Sequence, residues 1–177
     1  MKNISIIFFG IIILLFSNSC KNSHTKEIAT LDSLMQVVAN AENSLLEIDS
    51  VKIQKYADEI METLHKFKEE TKTPPSAEDA ELLLNYRTSA KSFYAFNKNR
   101  KYLNEELFLS IQQLSNLKKD LQKNLISEEK AFEYYKTEVM ETRKLLDLIS
   151  MNIKSTQAEI ENCQALKPKI DSLIYAK

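Results

Sequence analysis

The sequence predicts an all-α fold, an elongated antiparallel bundle of three long helices, and three observations carry that reading. The only glycine is Gly10, so everything after it lacks the residue that tight positive-φ turns, Asn-Gly hairpins and Gly-rich phosphate loops require. Leu, Ile, Lys and Glu run throughout, and charged residues make up 28 % of the chain, which is the composition of long amphipathic helices and not of sheets. Toward the C-terminus, apolar residues recur at steps of three and four for about six heptads, a period that only helices present on one face.

The few interruptions set the element boundaries. Lys72-Thr73-Pro74-Pro75-Ser76 must stop a helix, because consecutive prolines remove backbone donors and push the preceding residue out of the α region. Ser76 followed by Asp79 reads as a capping box opening the next helix. Asn124-Leu125-Ile126-Ser127 forms the second break, with Ser127 as N-cap and Glu128-Glu129 favouring the positive end of the helix dipole. The predicted helices are therefore about 26–71, 77–124 and 127–174, nearly equal in length and antiparallel because their connections are short.

The last segment has the clearest seam: Phe132, Tyr135, Val139, Thr142, Leu146, Ile149, Ile153, Thr156, Ile160, Cys163, Lys167, Ile170 and Ile174. A sustained 3.5-residue repeat of this kind implies left-handed coiled-coil packing. Pro168 is expected to kink or end that helix near Ala165. The other two segments lose phase midway. Leu31, Leu34, Val38, Ala41, Leu45 and Ile48 form one seam, which Ile53, Ala57, Ile60, Leu64 and Phe67 continue one residue out of register across Asp49-Ser50. Leu83, Tyr86, Ala90 and Phe93 give way to Leu103, Leu107, Leu114, Leu117 and Leu121 across Asn97-Lys98-Asn99. Folding back about the proline turn would set 49 level with 99, so both helices are expected to be kinked or broken at one height, near 49 and 98. True breaks at both places would give five helices.

The N-terminus carries an address. Lys2 precedes the apolar run Ile4–Phe16, and Ser17-Asn18-Ser19-Cys20 closes it. Thirteen helical residues rise only ~20 Å, short of the ~30 Å hydrocarbon core, so a permanent span is not expected. A short apolar run ending in small residues is the pattern of a cleaved secretory signal. A conventional secreted protein and an uncleaved anchor are the competing readings.

These residues resemble the type II signal of bacterial lipoproteins. Ser19 fits the small residue before the cysteine, whereas Ser17 stands where the family commonly has Leu and Asn18 is unusual, so the box is most similar to the looser ones of Bacteroidota lipoproteins. The resemblance implies a signal peptide over 1–19, a lipidated tether over 20–25 and a helical domain over 26–177. It implies that Cys20 carries a diacylglycerol and an amide-linked acyl chain, palmitate-like in kind. Each buried methylene contributes ~0.8 kcal/mol, and two or three chains suffice for stable residence on a membrane. The resemblance implies the cell envelope, and because surface-exported lipoproteins of that group often carry acidic residues directly after the cysteine and none stands here before Glu27, it implies the periplasmic face of the outer membrane. The stretch Gln113–Leu121 resembles small helical lipoproteins of the same group, a likeness that covers about 77–174 and implies no activity.

The 24 basic and 25 acidic side chains leave a net charge of −1, without the basic excess of a nucleic-acid binder. With Cys20 lipidated, Cys163 has no intramolecular partner and is expected inside a helix interface as a small hydrophobe. Glu62-x-x-His65 matches one arm of a di-iron carboxylate bundle, but no second arm exists, so neither metal nor other cofactor is expected. No nucleophile–base–orienter constellation is present, and the chain reads as a non-enzyme. Aromatics cluster in the middle segment, and Tyr94, Phe96 and Tyr134 are the candidate partner contacts, since aromatics that face outward make hot spots. The expected role is that of a membrane-anchored scaffold, spacer or protein-interaction module, bound to lipid through acylated Cys20 and to a protein partner or a second copy. The alternative is a carrier holding a lipid or small apolar ligand within the bundle.

Overall fold

A computed structural model describes residues 24–175, so Cys20 and the signal segment lie outside the described residues. Those described residues form four helices and no strand: α1 (Thr25–Glu47), α2 (Ser50–Glu70), α3 (Ala77–Gln122) and α4 (Glu128–Tyr175). The all-α class and the two turns at 72–76 and 124–127 stand. The count of three helices does not, because the segment 26–71 is two helices.

The break between α1 and α2 occupies two residues. Ile48 and Asp49 are extended, with ψ of 111° and 100°, and the Asp49 carboxylate accepts from Val51 N–H at 2.9 Å and Lys52 N–H at 3.0 Å. Asp competes with the helical hydrogen-bond ladder and is stable as an N-cap. The break also corrects the hydrophobic register. An unbroken heptad would have continued from Ile48 onto Lys52 and Lys55; the restart brings Ile53, Ala57 and Ile60 into the core instead.

The second helix is not broken at the other expected place, since α3 is continuous through 98. Its seam is Tyr86, Ser89, Phe93, Phe96, Arg100, Leu103, Leu107, Ser110, Leu114, Leu117 and Leu121, alternating steps of three and four without a slip. Ser89, Arg100 and Ser110 are polar occupants of seam positions, and they made a regular repeat look broken. Ser110 and Thr142 satisfy each other across the α3–α4 interface at 3.0 Å, and buried Ser89 donates to Glu159. A buried hydroxyl with a partner is tolerated where an unpaired one would cost free energy.

The last helix does not end at its proline. Pro168 lies inside α4, which continues to Tyr175. Proline at this position withdraws one hydrogen bond, from the Gln164 carbonyl; both residues are exposed, so water can replace the lost donor. The seam otherwise holds: Thr142, Ile149, Thr156, Cys163 and Ile170 are buried at strict seven-residue spacing. Phe132 and Lys167 are exposed and do not belong to the core, while Ala131 takes the buried place at the start of the helix. Cys163 is buried and free, as its expected role requires.

The turns use local chemistry in place of glycine. Ser76 accepts from Asp79 N–H at 3.1 Å and donates to its carboxylate at 2.8 Å. At the α3–α4 turn Asn124 takes the left-handed conformation, φ 49°, which Asn tolerates better than most residues. Leu125 N–H reaches Asp120 C=O at 3.0 Å and Asn124 N–H reaches Leu121 C=O at 3.4 Å, a Schellman pair that satisfies the last carbonyls of α3.

α3 is the spine. α1 and α2 stack end to end along it, and α4 runs antiparallel beside it; α1 rests on both α3 and α4, whereas α2 rests chiefly on α3. The pairs Lys118–Asp32, Arg100–Leu46, Asn97–Ser50 and Tyr94–Asp58 mark the antiparallel register from one end to the other. The chain therefore enters at the end holding the α3–α4 turn, and the Pro74-Pro75 turn lies at the opposite end.

Candidate functional site

The gap between α1 and α2 opens a groove of about 890 Å³ at the waist of the bundle. Its floor comes from α3. Asn97 Nδ2 donates to Ser50 C=O at 3.1 Å and to Gln54 Oε1 at 3.2 Å, and Arg100 Nη2 reaches the Leu46 carbonyl at 3.4 Å. A guanidinium is well placed there, because the last carbonyls of α1 have no helical donors and form the negative end of its dipole. Asn97, Arg100 and Asn104 recur at three, four and seven residues and so share one face of α3. Asn97 Oδ1, Arg100 Nε and Asn104 Oδ1 are nevertheless buried without a hydrogen-bond partner. Three orphaned polar atoms within two turns of helix make the waist the least satisfied part of the described interior.

The walls are charged and balanced. Lys55, Arg100 and Lys101 face Asp58, Glu59 and Glu62, with exposed Leu46 and Val51 at the α1 end. Lys55 pairs with Glu59 at 3.7 Å, and Glu62 pairs with Lys66 at 3.1 Å. Asp58 accepts from Gln54 Nε2 at 3.0 Å and from the Tyr94 hydroxyl at 2.8 Å. That hydrogen bond, donated by the neutral phenol, holds the Tyr94 pKa above its ordinary value, with burial and the Asp58 charge adding to it. The groove thus offers an ammonium-and-carboxylate rim and a floor of amides and guanidinium, a set suited to hydrogen-bonding an extended polar chain.

A second open groove, about 600 Å³, lies between α2 and α3 toward the proline turn. Met61, Leu64, Phe67, Leu83 and Leu84 give it an apolar floor, and His65, Lys68 and Arg87 stand on its rim. A smaller one between α3 and α4 collects Glu106, Glu138 and Glu141; burial, then the nearby Glu141 charge, raises the Glu138 pKa.

The residues singled out from sequence fall in different places. Tyr94 is 38 % exposed beside the waist groove, as a partner contact must be. Phe96 is 4 % exposed and lies in the core, so the expectation that it meets a partner is corrected: it fills the seam place between Phe93 and Arg100. Tyr134 is 44 % exposed but belongs to another region. The Ser110–Thr142 pair sets it level with about residue 118 of α3, roughly 35 Å from Tyr94 at 1.5 Å per residue. The two tyrosines therefore do not form one patch. Glu62 and His65 turn to different partners, His65 pairing with Glu69 at 3.3 Å, and among the described residues no group of three or more His, Cys, Asp or Glu is arranged to hold a metal ion. Asn97, Arg100 and Asn104 were missed. Their signal was a polar residue at a seam position, Arg100 between Phe96 and Leu103, flanked by two asparagines seven residues apart.

No helix among the described residues is long and apolar enough to cross a membrane. Comparisons with protein-family models, with curated proteins and with solved structures gave no match to this chain.

Proposed function

We propose that the chain is an envelope lipoprotein, held on the periplasmic face of the outer membrane by acyl chains on Cys20, whose helical domain acts as a spacer and protein-interaction module. The observation that carries the reading is the direction of the bundle. α1 begins at Thr25, five residues after Cys20, and the 46-residue spine α3 carries the proline turn ~70 Å from that end. A rod anchored at one end sets a distance between the bilayer and whatever binds along it. The waist groove, with Tyr94 beside it and its orphaned amide and guanidinium atoms, is the recognition surface, and its occupant is an extended polypeptide segment of a partner or of a second copy.

Two measurements test this. Metabolic labelling with a palmitate analogue should acylate the wild-type chain and leave Cys20→Ser unlabelled; an unlabelled wild type removes the anchor. A photocrosslinker at Tyr94 in intact cells should trap a discrete protein, and Tyr94→Ala with Val51→Ser should reduce capture by an unmodified chain at least tenfold. Undiminished capture would remove the waist from the interface.

The carrier alternative rests on the apolar groove between α2 and α3, whose volume matches a small apolar ligand. It is open along one side, whereas bundle carriers enclose their cargo. Extraction of the purified protein and mass spectrometry for a co-purifying lipid at stoichiometric yield decides between the two.

A further inference from the structure

The end of the bundle nearest the tether presents apolar side chains that the fold gives nothing to pack against. In a Schellman turn the residue two beyond the cap commonly makes an apolar contact with the last turn of the helix. Here that residue is Leu125, and the positions it would meet are Asp120 and Lys119, so Leu125 stands 64 % exposed at the apex of the α3–α4 turn. Just inside α4, Phe132 is 70 % exposed at a seam position it does not fill, and Tyr134 presents an amphipathic ring nearby. Leu125 and Phe132 are among the most exposed large apolar side chains of the described residues. Their rivals lie elsewhere, Val51 at the waist and Tyr175 at the far end.

Covalent geometry decides what lies opposite. The five residues from Cys20 to His24 span at most about 18 Å even when fully extended. If Cys20 is acylated, the tether keeps the end holding Leu125 within about 20 Å of the headgroups, while the proline turn lies ~70 Å further along the spine. We propose that this end is a lipid-seating surface, with Leu125 and Phe132 entering the acyl boundary and Tyr134 at headgroup depth, so that the bundle stands away from the membrane. The inference rests on the Cys20 anchor proposed above. Lys26, Lys119, Lys123 and Lys130 are matched there by Glu27, Asp120, Glu128, Glu129 and Glu133, so the contact is apolar and does not depend on anionic lipid. Weak insertion suffices, because the tether makes the contact intramolecular.

The test uses the full chain in its native membrane, with a photocrosslinking residue placed in turn at 125, 132 and 51. Trypsin separates the first two sites into the peptides 124–130 and 131–136, away from the acylated Cys20 peptide, so phospholipid adducts can be read at each position. The expected result is an adduct yield at 125 and 132 at least tenfold above that at 51. An acylated, membrane-bound chain with no excess at 125 and 132 overturns the seating surface and leaves the anchor standing. An equal yield at 51 means that the bundle lies flat and also overturns it. A chain without acyl groups removes the anchor and this inference together.

Discussion

The two halves of the bundle share a spine and a partner helix but are built to different standards. At the end where α1 begins, α1 is wedged against both α3 and α4, and Leu31, Val38 and Leu45 are wholly buried along it. Beyond the waist, α2 rests chiefly on α3, and the waist groove and the apolar groove both open along it. Its core residues Ile53, Ala57 and Ile60 are as deeply buried, and Leu64 and Phe67 are partly covered, as Leu34 and Ala41 are in α1. One heptad pattern therefore supports two packing arrangements, and the one that leans chiefly on a single neighbour carries the grooves. Regions that open at low free-energy cost are where binding surfaces are drawn from.

The largest effect expected falls on the seam common to both halves. Ile149→Asp puts an unpaired carboxylate into the core at waist level and should cost about 3–5 kcal/mol in denaturant unfolding, losing both halves together. Loss of only one half would show that the waist divides the molecule into independent units. The comparison itself is tested by truncation on either side. Leu114→Ala, in the α1 half, and Ile60→Ala, in the other, should each cost about 2–5 kcal/mol, with Leu114 nearer the upper figure. The cavity left at Ile60 lies under a helix that can settle. Amides of α2 should also exchange with solvent before those of α1; the reverse order would invert the comparison.

A smaller effect comes with pH. Burial, followed by the Cys163 and Asp171 charges, pushes the Tyr86 phenol up to about 12, and burial raises Cys163 as well. Both groups keep their protons in the folded state at pH values where the unfolded chain gives them up, so the stability they contribute is complete below the unfolded values. It is lost as pH rises, through about 9–10 for the unfolded thiol and phenol and on to about 12 for folded Tyr86. Unfolding free energy should fall over that window, and Tyr86→Phe should flatten part of the fall. Smallest is the break: Asp49→Ala removes two cap hydrogen bonds and should cost about 1 kcal/mol, read as a small shift in thermal midpoint.

What the sequence made legible follows from the same physics. Apolar periodicity located α4 and its seam, and the one-residue register slip at Asp49 located the true break, because a slip there moves lysines toward the core. The continuity of α3 was hidden, since Ser89, Arg100 and Ser110 hold seam places through partners on other helices that no local pattern reveals. That the helix continues past Pro168 was hidden for a related reason: the cost of the proline depends on whether the freed carbonyl faces water. The waist groove was illegible because it exists only where the gap between two helices meets polar residues of a third. Phe96 and Tyr94 stand two residues apart, and only the correct heptad phase tells which of them is inside.

The end-to-end arrangement of α1 and α2 has a mechanical meaning. On the anchor proposed above, a load between the membrane and a partner at the waist or beyond would enter at Thr25 and unwind α1 from its N-terminal end, breaking contacts one turn at a time instead of all at once. The peel meets Ile48 and Asp49 after 23 residues of helix, where the backbone is already extended and a fresh capped helix begins. The break thus works as a crack arrestor. α1 can stretch to roughly 75 Å at strand-like extension, which is about 40 Å of slack over its helical length, while α2, α3 and α4 stay folded. Force spectroscopy should register that release as a separate step below the main rupture, and a single rupture event would show that the arrestor does not hold.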